Sequence, residues 1–197
     1  DPASVDYLGS LKQVELGTHL HAEFIEPDAN FNAEVTASIQ ALLDPEIERR
    51  KLQNLTELFK NTFGYSPTSF RSGRFGISQN TTKFLDELNY RVDSSITPFQ
   101  RYHFPDEIVI DHWGANIVPY RVSKDNYLKP GKLSLFEVPL SSTIPPLQRL
   151  PYRVNSILGR NTKLRKHFSR KLIHLRPVKR SDLTLGEIAD VIIRKWE

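Results

Sequence analysis

The chain has 197 residues, of which 39% are hydrophobic and 25% are charged, and its formal net charge is +4. This composition is ordinary for a globular protein and the length suffices to bury a core, so a single domain over residues 1–197 is expected. The absence of cysteine excludes disulfides, thiolate metal sites and cysteine nucleophiles. No apolar run approaches the ~20 residues of a membrane-spanning helix. No signal peptide is visible in the sequence; the cellular compartment is therefore left open, with the cytoplasm slightly favoured.

The N-terminal part of the chain contains a helical segment, a strand-like segment and a loop. Residues 5–13 are predicted as the end of a helix, and residues 14–17 as a short strand. Residues 23–43 have no firm period and are predicted as a long loop. One side of the first helix is apolar and is expected to be buried; it comprises Val5, Leu8 and Leu11.

The clearest helix start in the chain is the Asp44-Pro45 pair. Aspartate is a favoured N-cap, proline suits the first helical position, and the first turn is acidic. The helix is expected to run to about residue 62, because Gly64 is typical of the residue that follows a helix. Its buried face is predicted to comprise Ile47, Leu52, Leu55, Leu58 and Phe59.

Short strands alternate with helices over the remainder of the chain. Asn80 is predicted to cap a second helix, and Thr184 to open a last one. Strands are predicted at residues 68–70, 90–92, 133–138 and 171–175. This alternation predicts a parallel α/β sheet or barrel.

Positive charge is concentrated in one stretch, since no acidic residue occurs between Glu137 and Asp182. A basic patch of this kind suits nucleic acid or another polyanion. A solvated surface or an interdomain contact is the favoured interpretation, because no aromatic interleaving and no nucleic-acid motif accompany the charge. Nucleic acid is therefore not the expected partner.

Two histidines occur two residues apart in the segment 15–21, which reads ELGTHLH. In an extended chain, side chains two residues apart point the same way, so His19 and His21 are able to reach one divalent cation together. A pair of surface histidines held by hydrogen bonds is the alternative. Two later segments, 70–76 and 92–95, also place charged or small polar residues at the end of an apolar run, where α/β enzymes carry their chemistry.

The order of these segments resembles the polysaccharide deacetylase (NodB-homology) superfamily. The similarity rests on the histidine segment 15–21, the helix from Pro45, the segment 70–76 (FRSGRFG) and the segment 90–98 (YRVDSSITP), and it extends from about residue 5 to residue 142. The segments 70–76 and 90–98 are most similar to the WalW-type branch. The resemblance implies an irregular (β/α) barrel whose site lies at the carboxyl ends of the strands.

The resemblance also implies a divalent ion, usually zinc, held by an Asp and two His, with one position open to water and substrate. His19 and His21 occupy the place of the histidine motif. Arg71 corresponds to the arginine that orients the catalytic carboxylate through charge-assisted hydrogen bonds. Asp93 corresponds to a later acid that positions neighbouring groups.

Three further positions are candidates for the site. The last motif of the family is a strand that ends in a general-acid histidine; it corresponds either to His174 or to Arg176, which is unable to cycle a proton near neutral pH. Arg74 is a candidate for substrate binding, with helix capping or pairing to a surface acid as the alternative. Trp113 lies in a loop and is either a platform for a sugar ring or an anchor of that loop.

The first motif of the family, an Asp-Asp pair that supplies the general base and the third metal ligand, has no counterpart in this chain. The barrel is therefore expected to lack its first strand, and residues 1–197 to be part of a longer polypeptide, poorly soluble and inactive when expressed alone. The expected function is that of a metal-dependent hydrolase that removes N-acetyl groups from a glycan. The alternative is a catalytically inactive member of the same fold that binds a carbohydrate or a protein.

Overall fold

The structure, a computed structural model, describes residues 1–34, 38–143 and 173–174. Its helices are α1 (Pro2–Ser10), α2 (Pro45–Phe63) and α3 (Gln79–Glu87). Its strands are β1 (Thr18–Leu20), β2 (Ser69–Ser72), β3 (Val92–Asp93), β4 (Arg101–His103), β5 (Val109–Asp111), β6 (Tyr120–Arg121), β7 (Phe136–Glu137), β8 (Ser142–Thr143) and β9 (Ile173–His174). Short 3₁₀ turns lie at Ala22–Phe24, Gln40–Leu42 and Gly73–Phe75.

Five strands form a mostly parallel sheet in the order β1-β2-β3-β7-β6. The first four run parallel to one another, and β6 pairs antiparallel with β7 at the edge. Two antiparallel pairs, β4 with β5 and β8 with β9, lie outside this sheet. The prediction of a mixed α/β fold with a mostly parallel sheet is confirmed, whereas closure into a barrel and the missing first strand remain predictions.

Helix α2 begins and ends where the sequence predicts. The Asp44 side chain accepts hydrogen bonds from the backbone N–H groups of Glu46 and Ile47, at 2.9 Å and 3.4 Å. Gly64 adopts a left-handed conformation with φ of 80°, which ends the helix at little steric cost. Leu52 and Phe59 are buried as predicted, but the Leu58 prediction is wrong, because its side chain is 55% exposed.

Three local predictions are corrected by the structure. Helix α1 lies at residues 2–10, and Leu8 and Leu11 on its predicted buried face are exposed. The first strand lies at residues 18–20 rather than 14–17, since that is where the chain pairs with β2. Ser78 rather than Asn80 caps α3, through a reciprocal capping box with Thr81.

The core lies between one face of the sheet and the helices α2 and α3. It includes Leu20 and Phe70 from the sheet, Leu135 just before β7, and Leu52 and Leu85 from the helices. Side chains alternate across a strand, so His19, Arg71 and Phe136 lie on the opposite face and are exposed. We call this face, defined by His19, Arg71 and Phe136, the open face.

Several predictions concern the C-terminal part of the chain. A strand is present at Ile173–His174, inside the predicted range 171–175, and it pairs antiparallel with β8. Arg176, the helix predicted from Thr184 and most of the basic stretch lie outside the described residues. Among the helices of the described part, none combines the length and apolar character needed to cross a bilayer.

Candidate functional site

His19 and His21 lie side by side at the carboxyl end of β1. His19 is in the strand and His21 follows its last residue. Their ring centroids are 4.9 Å apart and the rings meet edge to face at 73°. The carboxyl ends of β2, β3 and β7 lie at the same edge of the sheet, because these strands are parallel to β1.

The tautomer of His19 is set by a backbone contact. Its Nδ1 atom lies 2.9 Å from the carbonyl oxygen of Arg71, its direct neighbour on β2. A carbonyl oxygen only accepts, so Nδ1 carries the proton and Nε2 keeps its lone pair. Burial is the largest effect on the pKa of His19 and lowers it. The hydrogen bond to the Arg71 carbonyl raises this pKa, whereas the electrostatic effects of the His21 ring and the Arg71 guanidinium lower it. The neutral ring that binds a metal ion is therefore favoured.

His21 faces two groups of opposite character through its own Nδ1 atom. The Arg74 Nη1 atom lies 3.1 Å away, and the Glu23 Oε1 atom lies 3.5 Å away. A guanidinium only donates and a carboxylate only accepts, so these neighbours favour different tautomers of the ring. The shorter contact favours Nδ1 as an acceptor, which places the proton of His21 on Nε2.

Glu23 and Arg74 form a two-bond ion pair next to this ring. Arg74 Nη2 donates to Glu23 Oε1 at 2.7 Å, and Nη1 donates to Oε2 at 3.2 Å. Burial alone would raise the pKa of Glu23, but the hydrogen bonds and charge of Arg74 outweigh it and the pKa is lowered. Sequence reasoning missed Glu23, which lies in the segment predicted as a loop; its place two residues after His21 was the only local signal.

The turn that carries Arg74 is tightly constrained. Arg74 and Phe75 both adopt left-handed backbone conformations, with φ of 53° and 55°, which non-glycine residues rarely do. A Cβ atom at Gly73 would lie 2.4 Å from the carbonyl oxygen of Leu20 and 3.1 Å from Cδ2 of His21. The missing side chain of Gly73 therefore lets the turn approach the histidine pair closely.

Arg71 lies on the open face next to His19 and is tied to the segment that follows β3. Its Nε donates to the carbonyl oxygen of Ser94 at 3.1 Å, and its Nη2 donates to the Ser94 hydroxyl at 3.2 Å. Within the described residues, its hydrogen bonds thus go to Ser94, and the predicted role of orienting a carboxylate remains a prediction. The same residue also sets the tautomer of His19 through its carbonyl group.

Asp93 lies on the other face of the sheet and is fully buried. It is the direct neighbour of Phe70 on β2 and of Glu137 on β7. The hydroxyl of Ser95 donates to its Oδ1 atom at 2.5 Å. Burial raises the pKa values of both Asp93 and Glu137. The structure therefore does not bring Asp93 together with the histidine pair, and sequence reasoning missed its partner Glu137.

A hydrogen-bond network continues from Asp93 to a third buried acid on α2. The backbone N–H of Ser72 donates to the Ser95 hydroxyl at 2.8 Å, and the Ser72 hydroxyl donates to Gln40 Oε1 at 2.9 Å. Gln40 Nε2 donates to Glu48 Oε1 at 3.0 Å. Burial raises the pKa of Glu48 as well. The network links the carboxyl ends of β2 and β3 to α2.

Trp113 follows the β4–β5 hairpin. Its backbone N–H donates to Asp111 Oδ1 at 2.9 Å, and the other carboxyl oxygen of Asp111 accepts from Arg101 Nη2 at 2.6 Å. Tyr102 of β4 stacks on Phe75 with 5.4 Å between ring centroids, so the hairpin contacts the Arg74 turn. The half-buried Trp113 remains a predicted sugar platform.

His174 is described through its backbone, which pairs with that of Ser142. Its role as general acid stays a prediction. Over residues 1–34, 38–143 and 173–174, no group of three or more His, Cys, Asp or Glu side chains is placed to hold a metal ion. The metal site predicted at His19 and His21 therefore has no third ligand of these types within the described residues, and it stays a prediction.

The comparisons with known proteins give a distant similarity to a solved structure and no match in sequence. The sequence matches no protein-family model and no curated protein. The chain is similar to a crystal structure named "putative polysaccharide deacetylase from Mycobacterium smegmatis", with a TM-score of 0.36 and 16% sequence identity. The similarity covers 71% of this chain and 44% of that one, so the chain spans less than half the length of that protein. The WalW-type branch is not supported by this similarity.

Proposed function

We propose that the chain binds a divalent metal ion, zinc being the expected one, through His19 and His21, and that it acts in removing N-acetyl groups from a glycan. The supporting observation is the juxtaposition of the two rings, 4.9 Å apart at the carboxyl end of β1. The proposal includes an irregular (β/α) barrel of the polysaccharide deacetylase type as the complete fold.

The histidine pair is suited to supply two of the ligands of such an ion. His19 keeps the Nε2 lone pair, because the carbonyl of Arg71 holds the proton on Nδ1. Imidazole nitrogens are common zinc ligands, and a ligating histidine ordinarily donates its other N–H to an oxygen. When bound, a divalent ion polarises an acyl carbonyl and lowers the pKa of a coordinated water to roughly 7.

Arg71 supplies the second part of the proposed site. Ser94 holds two of its N–H groups, and the exposed guanidinium keeps further donors on the open face. Those donors suit an oxygen atom of the substrate or of a catalytic carboxylate. In this proposal Asp93 acts from the other face of the sheet, as a positioning residue for the segment after β3.

A second candidate function is binding of a carbohydrate without catalysis. The observation that favours it is the contact between Arg74 and Nδ1 of His21, which places the ring proton on the nitrogen that a metal ion needs. In addition, the carboxylate of Glu23 is already bound by Arg74. The two functions differ in one measurable property, the binding of zinc.

Zinc binding tests the proposal directly. The metal-free 197-residue chain is titrated with zinc by calorimetry, and about one ion is expected per chain. Affinity should fall below about pH 6 as imidazoles become protonated. The His19→Ala/His21→Ala double variant should lose binding, whereas His103→Ala, at an exposed histidine of β4, should retain it.

The outcomes separate the two functions. Equal zinc binding by the double variant and the natural chain would contradict the metal site. Binding of N-acetylglucosamine oligomers by a chain that does not bind zinc would favour the carbohydrate-binding alternative. Acetate release is then compared between zinc-loaded and chelator-treated forms of the protein; only the loaded form is expected to be active.

A further inference from the structure

The Nδ1 atom of His21 lies between a donor and an acceptor that are bonded to each other. Arg74 Nη1 is 3.1 Å from it, Glu23 Oε1 is 3.5 Å from it, and Arg74 Nη2 donates to that same Oε1 at 2.7 Å. The three side chains therefore form a closed triangle of polar contacts. Of these three side chains, only the imidazole can change between donor and acceptor, because a guanidinium only donates and a carboxylate only accepts.

The two neighbours select different states of the ring. When Nδ1 accepts from Arg74, the proton of the neutral ring is on Nε2, and that nitrogen has no lone pair for a metal ion. When Nδ1 donates to Glu23, Nε2 has the lone pair. His19 is already held in this second state by the Arg71 carbonyl. His21 thus determines whether both rings present a ligating nitrogen.

Both neighbours are held in place by the fold. Glu23 lies in the 3₁₀ turn Ala22–Phe24, and the ammonium group of Lys51 on α2 donates to the carbonyl oxygens of Ala22 and Ile25, at 3.0 Å and 2.6 Å. Arg74 is presented by a left-handed backbone conformation that an arginine rarely adopts. Such outliers persist only where surrounding contacts enforce them.

We propose that Arg74 and Glu23 control the tautomer of His21 and thereby decide whether this ring serves as a metal ligand. The inference rests on the metal site of the proposed function. In the metal-free state, Arg74 holds His21 with the proton on Nε2. In the metal-binding state, the proton is on Nδ1 and Glu23 accepts it, while Arg74 keeps its bond to Glu23.

The change between the two states is balanced in protons. The ring loses a proton from Nε2 to water and gains one from water at Nδ1, so His21 stays neutral and no net proton is released. The cost is the loss of the bond between Arg74 and Nδ1. Arg74 therefore opposes metal binding at His21, and Glu23 is the positioning residue that promotes it.

The first experiment measures the tautomer without any metal. A long-range ¹H–¹⁵N correlation spectrum of the metal-free chain is recorded at about pH 8, where histidine side chains are ordinarily neutral. His21 is expected to carry its proton on Nε2 and His19 on Nδ1. In Arg74→Met, which has a side chain of similar length without a donor, the proton of His21 should move to Nδ1.

The second experiment measures zinc affinity in matched variants. Glu23→Met removes the acceptor and should weaken zinc binding about 10- to 100-fold, whereas Arg74→Met should strengthen it about 10-fold. The controls are Arg49→Met and Glu87→Met, which remove an exposed ion pair between α2 and α3. Neither control should change the tautomer or the affinity.

Each result bears on the inference in a definite way. A proton on Nδ1 of His21 in the natural metal-free chain would overturn it, as would an unchanged zinc affinity in Glu23→Met. If Arg74→Met does not fold, the inference is still tested by the tautomer of His21 in the natural chain and by the zinc affinity of Glu23→Met. If the natural chain binds no zinc, the proposed function fails, and the tautomer in Arg74→Met alone decides whether the two side chains control the ring.

Discussion

Asp93 on β3 and Glu137 on β7 are direct neighbours on parallel strands, and their carboxyl groups interact with each other. Each residue has one carboxyl oxygen, Oδ2 or Oε2, that meets no hydrogen-bond donor among the described residues. Two adjacent buried carboxylates repel each other unless a proton lies between them. We therefore interpret the pair as sharing one proton.

This pair should make stability fall as pH rises. Burial raises the folded-state pKa values of Asp93 and Glu137, so the folded chain binds more protons than the unfolded chain above about pH 4. The contribution is fully present below the ordinary carboxyl pKa and is lost as pH rises through the raised values. For each unit of rising pH over which the folded chain holds one proton more than the unfolded chain, the free energy of unfolding falls by about 1.4 kcal/mol.

Glu137→Gln tests this expectation, because glutamine supplies a permanent donor to Asp93. Urea unfolding measured from pH 4 to pH 8 should give a shallower decline of stability for the variant than for the natural chain. Some decline should remain, since burial also raises the pKa of Glu48. Glu57→Gln, at an exposed position of α2, serves as the control. Parallel curves for Glu137→Gln and the natural chain would contradict a shared proton.

His112 should give the opposite pH dependence. Burial lowers its pKa from 6.5 to about 4, so the contribution of the neutral ring is present above pH 6.5 and is lost as pH falls towards 4. Its Nδ1 atom accepts from the backbone N–H of Thr97 at 3.1 Å. His112→Gln keeps an acceptor but has no group that becomes protonated in this range. Between pH 6.5 and about 4 the variant should therefore lose less stability than the natural chain, by up to roughly 3 kcal/mol. The exposed His103→Gln should remove none; similar acid profiles for both variants would disprove the assignment.

Lys51 is expected to hold the segment that carries Glu23. Its ammonium group donates to the carbonyl oxygens of Ala22, Ile25 and Pro27. Lys51→Met should lower the free energy of unfolding by about 1–3 kcal/mol, because buried carbonyl groups lose their donor. Hydrogen exchange should accelerate in residues 22–28. Lys60→Met, at an exposed position on the same helix, should leave that exchange unchanged, and equal exchange in both variants would refute the role of Lys51.

Gly73 is expected to be essential for the approach of the Arg74 turn to His21. In Gly73→Ala, the new Cβ atom would lie 2.4 Å from the backbone oxygen of Leu20 and 3.1 Å from the His21 ring, so backbone must shift. We expect a loss of about 1–3 kcal/mol and a changed His21 ring environment in NMR spectra. Gly9→Ala in α1, where a Cβ atom meets nothing within 4 Å, is the control and should not destabilise the chain. A natural His21 signal in Gly73→Ala would contradict this role.

The features that sequence reasoning predicted correctly depend on neighbouring residues. Asp44, Pro45 and Gly64 mark the ends of α2 through their own backbone preferences. The side-by-side placement of His19 and His21 follows from the alternation of side chains along an extended chain. The strand itself was predicted four residues too early, because the register that selects residues 18–20 belongs to the pairing with β2.

The sequence by itself determined the α/β class, the course of α2 and the adjacency of His19 and His21, since each is set by propensities and periods that operate over a few residues. Only the tertiary structure decided which charged groups meet. Glu23 and Arg74 are 51 residues apart, and the partners of Asp93 come from strands distant in sequence. The physical reason is that a buried charge or polar group must find a partner wherever the fold brings one within about 3 Å, and chain packing rather than local spacing selects that partner.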